Sequence, residues 1–454
     1  MPRQAVDEAK ASLGLPDFSR ANIREIVSVA NKVEAATGLK YVRMEMGVPG
    51  LPPDAIGTEA EIEALRGGCA ARYPMLDGLP ALKEAAARFV KAFTDVDAEP
   101  RCCIPVSGSM QGAFATFLTL YHALPERGTV LFIDPGFPVQ KTQLDIIGLR
   151  HEAFDIHHTR GQALLDEVER RLRDGHISAM LFANPNNPSW MCLRDDEIRG
   201  LAALADKYDV VIVEDLAYFG MDFRKDISHP GVPPFQPSVG RHTSRYVMLI
   251  SGSKAFSYAG QRIGVAVMSQ QQYDRRYEAL ARRYGVGAFG SVFVNRILYC
   301  LSSGTAHSAQ YALAAMLGAA ADGRYDFLSA AREYGRRAAA IKEIFADNGF
   351  SLVYADDMGE AVADGFYFTV GYPGMSGAEL MEELLYYGVS IISLDTTGSH
   401  EQGLRVCVSF VGPEQYGLLR ERLEAFRQDH PAKGRDRDCK QDRNQEERQD
   451  HHVE

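Results

Sequence analysis

The chain has 454 residues, of which 46% are hydrophobic and 24% are charged, and its formal net charge is -11 at pH 7. These values are ordinary for a globular protein with room for a large and a smaller domain. The acidic balance argues against nucleic acid as a partner, and the lack of a long apolar run argues against a membrane. The cysteines are scattered and odd in number, 7 in all, which predicts reduced thiols in a cytoplasmic protein and no metal site.

The N-terminal part of the chain predicts few regular elements. Residues 1 to about 20 predict a weakly ordered arm. A strand then enters a loop rich in glycine and proline, where Gly47 is either a turn glycine or a point at which the backbone meets a ligand. Further on, Tyr73 lies in a loop and Pro80 favours the start of a helix. The residues by themselves leave both alternatives for Gly47 open.

A strongly apolar helix is predicted to begin in the segment 106–113, which is rich in glycine and serine. Ser109 is a good N-cap residue. Gly108, Ser109 and Met110 would present free backbone N–H groups at the helix N-terminus, which is a favourable place for an anion. The alternative is an ordinary capped helix of the core.

Three apolar runs predict buried strands, and each is followed by residues that could contact a ligand. The runs are residues 129–134, 177–183 and 210–215. Phe137 follows the first run, Asn187 the second, and Asp215 with Tyr218 the third. A buried carboxylate such as that of Asp215 needs a cationic partner. The alternatives are a core phenylalanine, an aspartate that caps a helix and a tyrosine that only packs.

Lys254 lies in a loop of small residues between two further apolar runs. An isolated loop lysine is usually solvated, because burying an unpaired ammonium is expensive. Here Ser251 and Ser253 add hydroxyl groups, and Arg262 adds a guanidinium suited to phosphate. A nucleophilic amine beside such groups fits an aldehyde cofactor that carries a phosphate, and pyridoxal 5'-phosphate is the obvious candidate.

The pattern Ser-x-Ser-Lys followed by Gly-x-Arg-x-Gly, at residues 251–264, resembles the lysine region of fold-type I pyridoxal-phosphate enzymes. More narrowly, it resembles the class I and II aminotransferases of the aspartate aminotransferase superfamily. The resemblance continues in Asn-Pro-Asn-Asn-Pro at 184–188 and in Arg405, which opens the last apolar strand. From the residues alone, Arg405 could also be a surface arginine on an edge strand.

The resemblance implies amino-group transfer from an amino acid to a 2-oxo acid by a homodimer with shared active sites. Lys254 would form the internal aldimine and then carry protons as the general base. The other residues implied to bind the cofactor are Gly108, Ser109, Met110, Phe137, Asn187, Asp215, Tyr218, Ser251, Ser253 and Arg262, with Tyr73 reaching the phosphate of the neighbouring subunit. The residues implied to bind the substrate are Gly47, Asn187 and Arg405.

The chain departs from the family pattern after residue 188, where Ser189-Trp190 stands in place of the usual Thr-Gly. Trp190 either reshapes the wall of the pocket or points into the core. The segment 284–304 contains only Arg296 as a candidate for binding a second carboxylate, and its apolar surroundings favour a helix surface. The sequence therefore predicts a substrate with an uncharged side chain.

Alternating strands and helices predict an α/β fold: a large domain with a mostly parallel, seven-stranded-type sheet sandwiched by helices, and a smaller α+β domain. The predicted division is an N-terminal arm and part of the small domain at 1–49, the large domain at 50–325, the small domain at 326–430 and a disordered polar tail at 431–454. A helix is predicted from 309 to about 348, with a possible kink at Gly323. The alternative functions are a pyridoxal-phosphate-dependent lyase or decarboxylase, and a cofactor-binding regulator without turnover.

Overall fold

The computed structural model describes residues 1–431, which form a seven-stranded sheet, a four-stranded sheet and two pairs of short strands, surrounded by helices. The helices are α1 (Arg3–Ala11), α2 (Ile23–Thr37), α3 (Ala55–Arg66), α4 (Pro80–Thr94), α5 (Gly108–Ala123), α6 (Pro138–Ile147), α7 (Gln162–Leu172), α8 (Asp195–Tyr208), α9 (Gln270–Asp274), α10 (Glu278–Tyr284), α11 (Phe289–Val292), α12 (Tyr299–Ser302), α13 (His307–Ala321), α14 (Arg332–Asp347), α15 (Gly377–Tyr386) and α16 (Pro413–Asp429).

The strands are β1 (Val42–Arg43), β2 (Cys103–Val106), β3 (Thr129–Asp134), β4 (Arg150–Asp155), β5 (Ile177–Ala183), β6 (Val211–Leu216), β7 (Tyr246–Ser251), β8 (Gly264–Met268), β9 (Ser351–Leu352), β10 (Asp356–Asp357), β11 (Glu360–Ala361), β12 (Tyr367–Gly371), β13 (Val389–Ser390), β14 (Ile392–Ser393) and β15 (Leu404–Cys407).

The large sheet has seven strands in the order β2-β8-β7-β6-β5-β3-β4. Only β8 runs against its neighbours, and the other strands are parallel. Along β3, Val130 and Phe132 enter one hydrophobic cluster, whereas Leu131 and Ile133 enter another. Both faces of the sheet are therefore covered, which explains why its strands are continuous apolar runs rather than alternating ones. The predicted mostly parallel sheet between helices is confirmed.

The parallel strands place the predicted site residues at one edge of this sheet. β3, β5, β6 and β7 all run in the same direction, so their carboxyl ends meet at that edge. Phe137 follows β3, Asn187 follows β5, Asp215 lies near the end of β6, and Lys254 follows β7. Ligands of open α/β sheets bind outside these carboxyl ends.

The small sheet is antiparallel, with the strand order β14-β15-β12-β9. Because β15 lies between β14 and β12, Arg405 is on an interior strand and is only 2% exposed. The edge-strand alternative for Arg405 is therefore wrong. Nearby, β1 pairs in parallel with β13, with Val42 opposite Val389, and this pair joins the N-terminal segment to the C-terminal third of the chain.

The first residues differ from the prediction of a weakly ordered arm. They form α1, which buries Val6 and packs against α2 and α15. The N-terminal amine of Met1 donates to the carbonyl of Tyr386 at 2.6 Å, and Lys10 contacts Glu382. An apolar stripe on an otherwise charged helix is enough to anchor this segment.

Two predicted helix boundaries are also wrong. The helix expected from 309 to 348 is two helices, α13 and α14, because the chain turns at Gly323 with φ +72° after α13 ends. Ser109 is not an N-cap, since α5 begins at Gly108 and the cap position falls on Ser107. Gly108 has φ +75°, a conformation that favours glycine, so the turn into the helix is complete two residues earlier than expected.

The predicted tail at 431–454 lies outside the described residues, except for Pro431. Among the described helices, none is both long enough and apolar enough to cross a membrane.

Candidate active site

Lys254 is partly buried and donates a hydrogen bond from Nζ to the carbonyl oxygen of Gly47. Loss of solvent on burial lowers the pKa of Lys254 to about 8. The positive charges of Arg405 and Arg262 contribute to this lowering of the pKa, while Cys407 and Asp215 act in the opposite direction. A larger fraction of the amine is therefore neutral, and so nucleophilic, near neutral pH than for an ordinary lysine.

Gly47 lies where two basic side chains meet the same stretch of backbone. Arg405 donates from Nη2 to the carbonyl oxygen of Glu45 at 2.5 Å, two residues before the carbonyl that binds Lys254. A Cβ atom built on Gly47 would overlap the hydroxyl of Tyr367. Glycine is thus required at position 47 by the close approach of the Tyr367 side chain rather than by a turn, and a backbone contact with a ligand stays a prediction.

Arg405 is buried but only partly satisfied. Its guanidinium lies over the ring of Tyr367, with 4.6 Å between Cζ and the ring centroid. Its Nε atom is buried and has no hydrogen-bond partner among residues 1–431. Because an unpaired buried donor is costly, a carboxylate bound at this guanidinium would relieve an existing deficit.

Asp215 is buried, and each of its carboxylate oxygens accepts one hydrogen bond from within the protein. Oδ2 accepts a hydrogen bond from Nε2 of Gln140 at 2.8 Å, and Oδ1 accepts one from the backbone N–H of Ala217 at 3.1 Å. Burial nevertheless raises the pKa of Asp215 to about 6. A cation beside this carboxylate would favour its ionised form. Phe137 lies three residues before Gln140. It occupies the N-cap position of α6, and its side chain is partly buried.

An aromatic cluster connects the two sheets. Tyr218 donates from its hydroxyl to that of Tyr367 at 2.9 Å. Trp190 packs edge-to-face on both rings, with centroid distances of 5.3 Å to Tyr218 and 6.0 Å to Tyr367. Trp190 is fully buried, and its indole occupies the space that a side chain at Gly365 would need. Trp190 is therefore a core residue whose ring also packs against that of Tyr218 and helps to fix its position.

The N-terminus of α5 and the guanidinium of Arg262 form a possible anion site. A Cβ atom on Gly108 would come within 2.8 Å of Nη2 of Arg262, so only glycine lets the two approach so closely. Ser109 and Met110 follow in the first turn, where backbone N–H groups have no partner within the helix. On the facing loop, Oγ of Ser251 accepts from the N–H of Ser253 at 3.1 Å.

Two further candidates differ in their surroundings. The side-chain oxygen Oδ1 of Asn187 is buried without a hydrogen-bond partner. The side chain of Tyr73, in contrast, is not buried, with 89% of its surface exposed. Next to it, Nδ1 of His307 is 3.2 Å from the carbonyl oxygen of Arg72, so the loop before α13 adjoins the loop of Tyr73.

A comparison with known families identifies the family of this chain. The family described as aminotransferase class I and II matches residues 47–423, which include all of these candidates. The chain belongs to the class I and II aminotransferases. They are fold-type I proteins of the aspartate aminotransferase superfamily, whose members use pyridoxal phosphate.

Individual aminotransferases resemble parts of the chain. The glutamate-pyruvate aminotransferase AlaC of Escherichia coli (strain K12) is 29% identical over 201 residues, covering 43% of this chain and 46% of AlaC. The aspartate aminotransferase of Pyrococcus horikoshii is 25% identical over 261 residues, covering 56% of this chain and 61% of that protein. The matches thus span less than two thirds of these relatives.

Solved structures match over more of the chain and show the fold. A double mutant of the Thermus thermophilus aspartate aminotransferase superposes with a TM-score of 0.72 at 19% identity, covering 92% of this chain and 98% of that one. The alanine aminotransferase from Pyrococcus furiosus gives a TM-score of 0.72 at 18% identity, covering 90% of this chain and 97% of that one.

Two residues of the candidate site, Gln140 and Tyr367, were not predicted from the sequence. Gln140 lies three residues after Phe137 in the first turn of α6, so helical spacing from a predicted ring-stacking residue was the available signal. Tyr367 lies in a predicted strand, but its place beside Gly47 and Tyr218 depends on how distant segments pack. No local pattern marks it.

Proposed function

We propose that this protein is a pyridoxal-phosphate-dependent aminotransferase that moves an amino group from an amino acid to a 2-oxo acid. The observation that carries the proposal is the shared contact of Lys254 and Arg405 with the segment 45–47. Two residues of extended chain span about 7 Å. A carboxylate bound by Arg405 would therefore hold the α-carbon of the same amino acid close to the amine of Lys254.

The residues around Lys254 fit the cofactor. The backbone of Gly108 and the guanidinium of Arg262 make a close pair of donors for a phosphate, and the unpaired Oδ1 of Asn187 marks a side-chain amide that still needs a polar partner. The buried Asp215 would hold a protonated ring nitrogen. When bound, pyridoxal phosphate would supply an electron sink that acidifies the Cα–H bond of the substrate.

The other residues proposed to hold the cofactor are Ser109, Met110, Phe137, Tyr218, Ser251 and Ser253. Tyr218 would donate to the 3′ oxygen, with Tyr367 and Trp190 fixing the position of its ring. Phe137 would cover the face of the pyridine ring. Asn187, through its side-chain amide, would contact both cofactor and substrate.

In the proposed reaction, Lys254 moves the proton. Its pKa of about 8 lies near the pH at which such a group can both accept and return a proton. Arg405 binds the α-carboxylate as a bidentate partner, with Nε as the donor left free inside the protein. Gly47 would offer its backbone to the substrate, while the lack of a side chain at this position makes room for the hydroxyl of Tyr367.

The proposal includes a homodimer with shared active sites. It is supported by the exposed ring of Tyr73 and by the adjoining loop of His307, a surface that a second subunit would cover. The division into large and small domains, with boundaries near 50 and 326, belongs to the same proposal. So does a cytoplasmic location, which the unpaired state of the six described cysteines supports.

Spectroscopy of the purified, cofactor-loaded protein tests the function. Amino acids should convert the cofactor absorbance to that of the pyridoxamine form, and a 2-oxo acid should reverse the change. Borohydride reduction followed by peptide mapping should place the cofactor on Lys254, and a Lys254→Ala chain should show neither result. Lys40→Ala is the matched control, since that lysine is 76% exposed and distant in sequence.

Other outcomes would contradict the proposal. Release of ammonia and pyruvate, or of carbon dioxide, would indicate a lyase or a decarboxylase. Exchange of amino acids on the cofactor without any product would indicate a regulator. A restored activity when inactive Lys254→Ala and Tyr73→Ala chains are mixed would support shared sites, whereas a fully active monomer would exclude them.

A further inference from the structure

Three side chains with metal-binding atoms meet between the loop after β4 and the loop before β15. They are His157, His158 and Glu401, whose ligand atoms all lie within 4.8 Å of one another. Nδ1 of His157 is 3.0 Å from Oε1 of Glu401, and Nε2 of His158 is 3.5 Å from the same oxygen. None of the three residues lies in the loop of Lys254 or on β15, the strand of Arg405.

The two loops are held together independently of this cluster. The buried carboxylate of Asp155 accepts from the backbone N–H of His157 at Oδ1, and from the backbone N–H of His400 at Oδ2, both at 2.8 Å. Tyr354 also donates to Oδ2, at 2.7 Å. These contacts fix the backbone on both sides of the cluster, so its three side chains are presented together even when nothing binds them.

The hydrogen bonding inside the cluster is incomplete. Although Nδ1 of His157 is close to Glu401, this buried nitrogen has no hydrogen-bond partner, because the geometry of a hydrogen bond is not met. Leaving a buried ring nitrogen unpaired is unfavourable. An ion between the two side chains would satisfy this nitrogen and the carboxylate at once.

We propose that His157, His158 and Glu401 bind one divalent transition-metal ion of the zinc type. Zinc takes histidine nitrogen and carboxylate oxygen at about 2.0–2.2 Å, so two ligands of a tetrahedral site lie about 3.4 Å apart. The distances of 3.0 and 3.5 Å from the nitrogens to Oε1 match this spacing. The fourth position faces solvent, since the side chain of His158 is 81% exposed, and water completes the coordination.

The bound ion would connect the two sheets next to the candidate active site. Thr397, four residues before Glu401, accepts from the N–H of Gly136 at 2.9 Å, and Gly136 immediately precedes Phe137. A bound metal ion would join the two loops in addition to this hydrogen bond and to the contacts of Asp155 with His400 and Tyr354. It would therefore resist separation of the small-sheet loop from the loop that carries Phe137. The site itself does not depend on the proposed aminotransferase activity.

Titration calorimetry with zinc chloride on the full-length, cofactor-loaded protein tests the site. The protein should be treated with a chelator and should carry no histidine tag. We expect one zinc ion per chain, with an affinity lowered at least about tenfold by His157→Ala, by Glu401→Gln and by His158→Ala. His158→Ala changes an exposed side chain, so it keeps the test valid if either of the other variants folds poorly.

Two controls separate this site from other histidines. His176 faces a single carboxylate, that of Glu152, at 2.5 Å, so His176→Ala should leave zinc binding unchanged. The sequence also contains the adjacent pair His451 and His452, and their double replacement by alanine should likewise have no effect. Zinc should raise the melting temperature of the unaltered protein but not that of His157→Ala.

The proposal is overturned if zinc does not bind, or if the affinity survives all three substitutions in the cluster. It is also overturned if the replacement of His451 and His452 abolishes binding, because the ion would then occupy the end of the chain.

Discussion

The two buried charged side chains of the candidate site differ in how far their hydrogen-bonding atoms are satisfied within the protein. Asp215, from the large sheet, has both carboxylate oxygens engaged, by Gln140 and by the N–H of Ala217. Arg405, from the small sheet, has one contact to the carbonyl of Glu45 and a buried Nε without a partner. The large-sheet wall therefore holds its charged side chain in place without a ligand, whereas the small-sheet wall keeps an unused donor.

This difference matches two kinds of ligand. A group that stays bound through many turnovers can be placed by a prearranged wall, whose residues hold one geometry. A substrate that must leave after each turnover is better bound by groups that satisfy each other only when it is present. The large sheet thus suits the cofactor, and the small sheet suits the amino acid. Substitutions on each wall should separate the two roles.

Replacement of Arg405 by alanine should produce the largest effect on the substrate side. Loss of one partner of a buried charge pair costs about 2–5 kcal/mol, or about 30-fold to several thousand-fold in kcat/KM. Most of the loss should appear as a higher KM, because Arg405 binds the α-carboxylate before and after the chemical step. Cofactor content, measured by absorbance, should remain nearly unchanged.

Arg337 offers a matched control for this substitution. It is also a largely buried arginine, with 14% of its side chain exposed, and it donates to the carbonyl of Ser409 at 2.7 Å. Arg337→Ala should destabilise the small-sheet region without a selective rise in KM. Loss of cofactor from Arg405→Ala would show instead that this arginine supports the large-sheet wall.

Replacement of Asp215 by asparagine should change stability in a pH-dependent manner when the cofactor is removed. The pKa of Asp215 is about 6 in the folded protein and is ordinarily 3.8. Between these values the unfolded chain releases a proton that the folded protein keeps, so the free energy of unfolding decreases as pH rises. The burial cost should reach about 3 kcal/mol at pH 8 and about half of that at pH 5.

Asp215→Asn should therefore stabilise the cofactor-free protein, and more so at pH 8 than at pH 5, as measured by denaturant unfolding. In the cofactor-loaded protein the same change should lower kcat by about 100-fold or more, because a preorganised charge is lost. Equal stabilisation at both pH values would contradict burial as the cause of the raised pKa.

The preference for an uncharged side chain depends on the cations around Lys254. The pKa of Lys254 responds to two of them, Arg405 and Arg262, which the proposal assigns to the α-carboxylate and the phosphate. Arg43 is already paired with Glu45 at 2.6 Å. A carboxylate on the side chain of the substrate would therefore lose its water without gaining a cationic partner. Leucine and phenylalanine should exceed aspartate and glutamate at least about tenfold in kcat/KM, which corresponds to about 1.4 kcal/mol.

The measurement is a set of steady-state assays with one common 2-oxo acid, and alanine serves as the control for side-chain size. A preference for the dicarboxylates would show that a cation from elsewhere, such as the neighbouring subunit, enters the pocket.

The large sheet was predictable because its information is local. The parallel strands β5, β6 and β7 are apolar runs, each with a predicted site residue near or just after its end, so chain order alone predicts that Asn187, Asp215 and Lys254 meet at one edge. Arg405 could be found only through family resemblance, because its burial depends on β12 and β14 covering β15 on both sides.

Contacts between distant segments were not predictable from the chain. The close approach of Tyr367 to Gly47 brings together residues 320 positions apart in the sequence, and no spacing rule relates them. The helix boundaries at Gly108 and Gly323 failed for a different reason. In both cases a glycine with positive φ shifts or ends the helix, and that backbone conformation is not visible in composition.

The smallest expected effect tests whether Tyr367 connects the two walls. Its hydroxyl accepts from Tyr218 on the large-sheet side, and its ring lies beneath Arg405 on the small-sheet side. Tyr367→Phe keeps the ring and removes only the hydroxyl, so the loss should be that of one hydrogen bond, about 0.5–1.5 kcal/mol, or about 2- to 13-fold in kcat/KM.

Because the ring remains under Arg405, KM should change little, whereas Tyr218 loses its partner. The pH at which the absorbance of the bound cofactor changes should then shift, since Tyr218 is proposed to contact the 3′ oxygen. Tyr41→Phe is the matched control, because it removes a buried hydroxyl that donates to the carbonyl of Leu385, also at 2.9 Å, away from the site. An equal shift in both variants would mean that the tyrosine pair serves packing alone, and the two walls would then be independent.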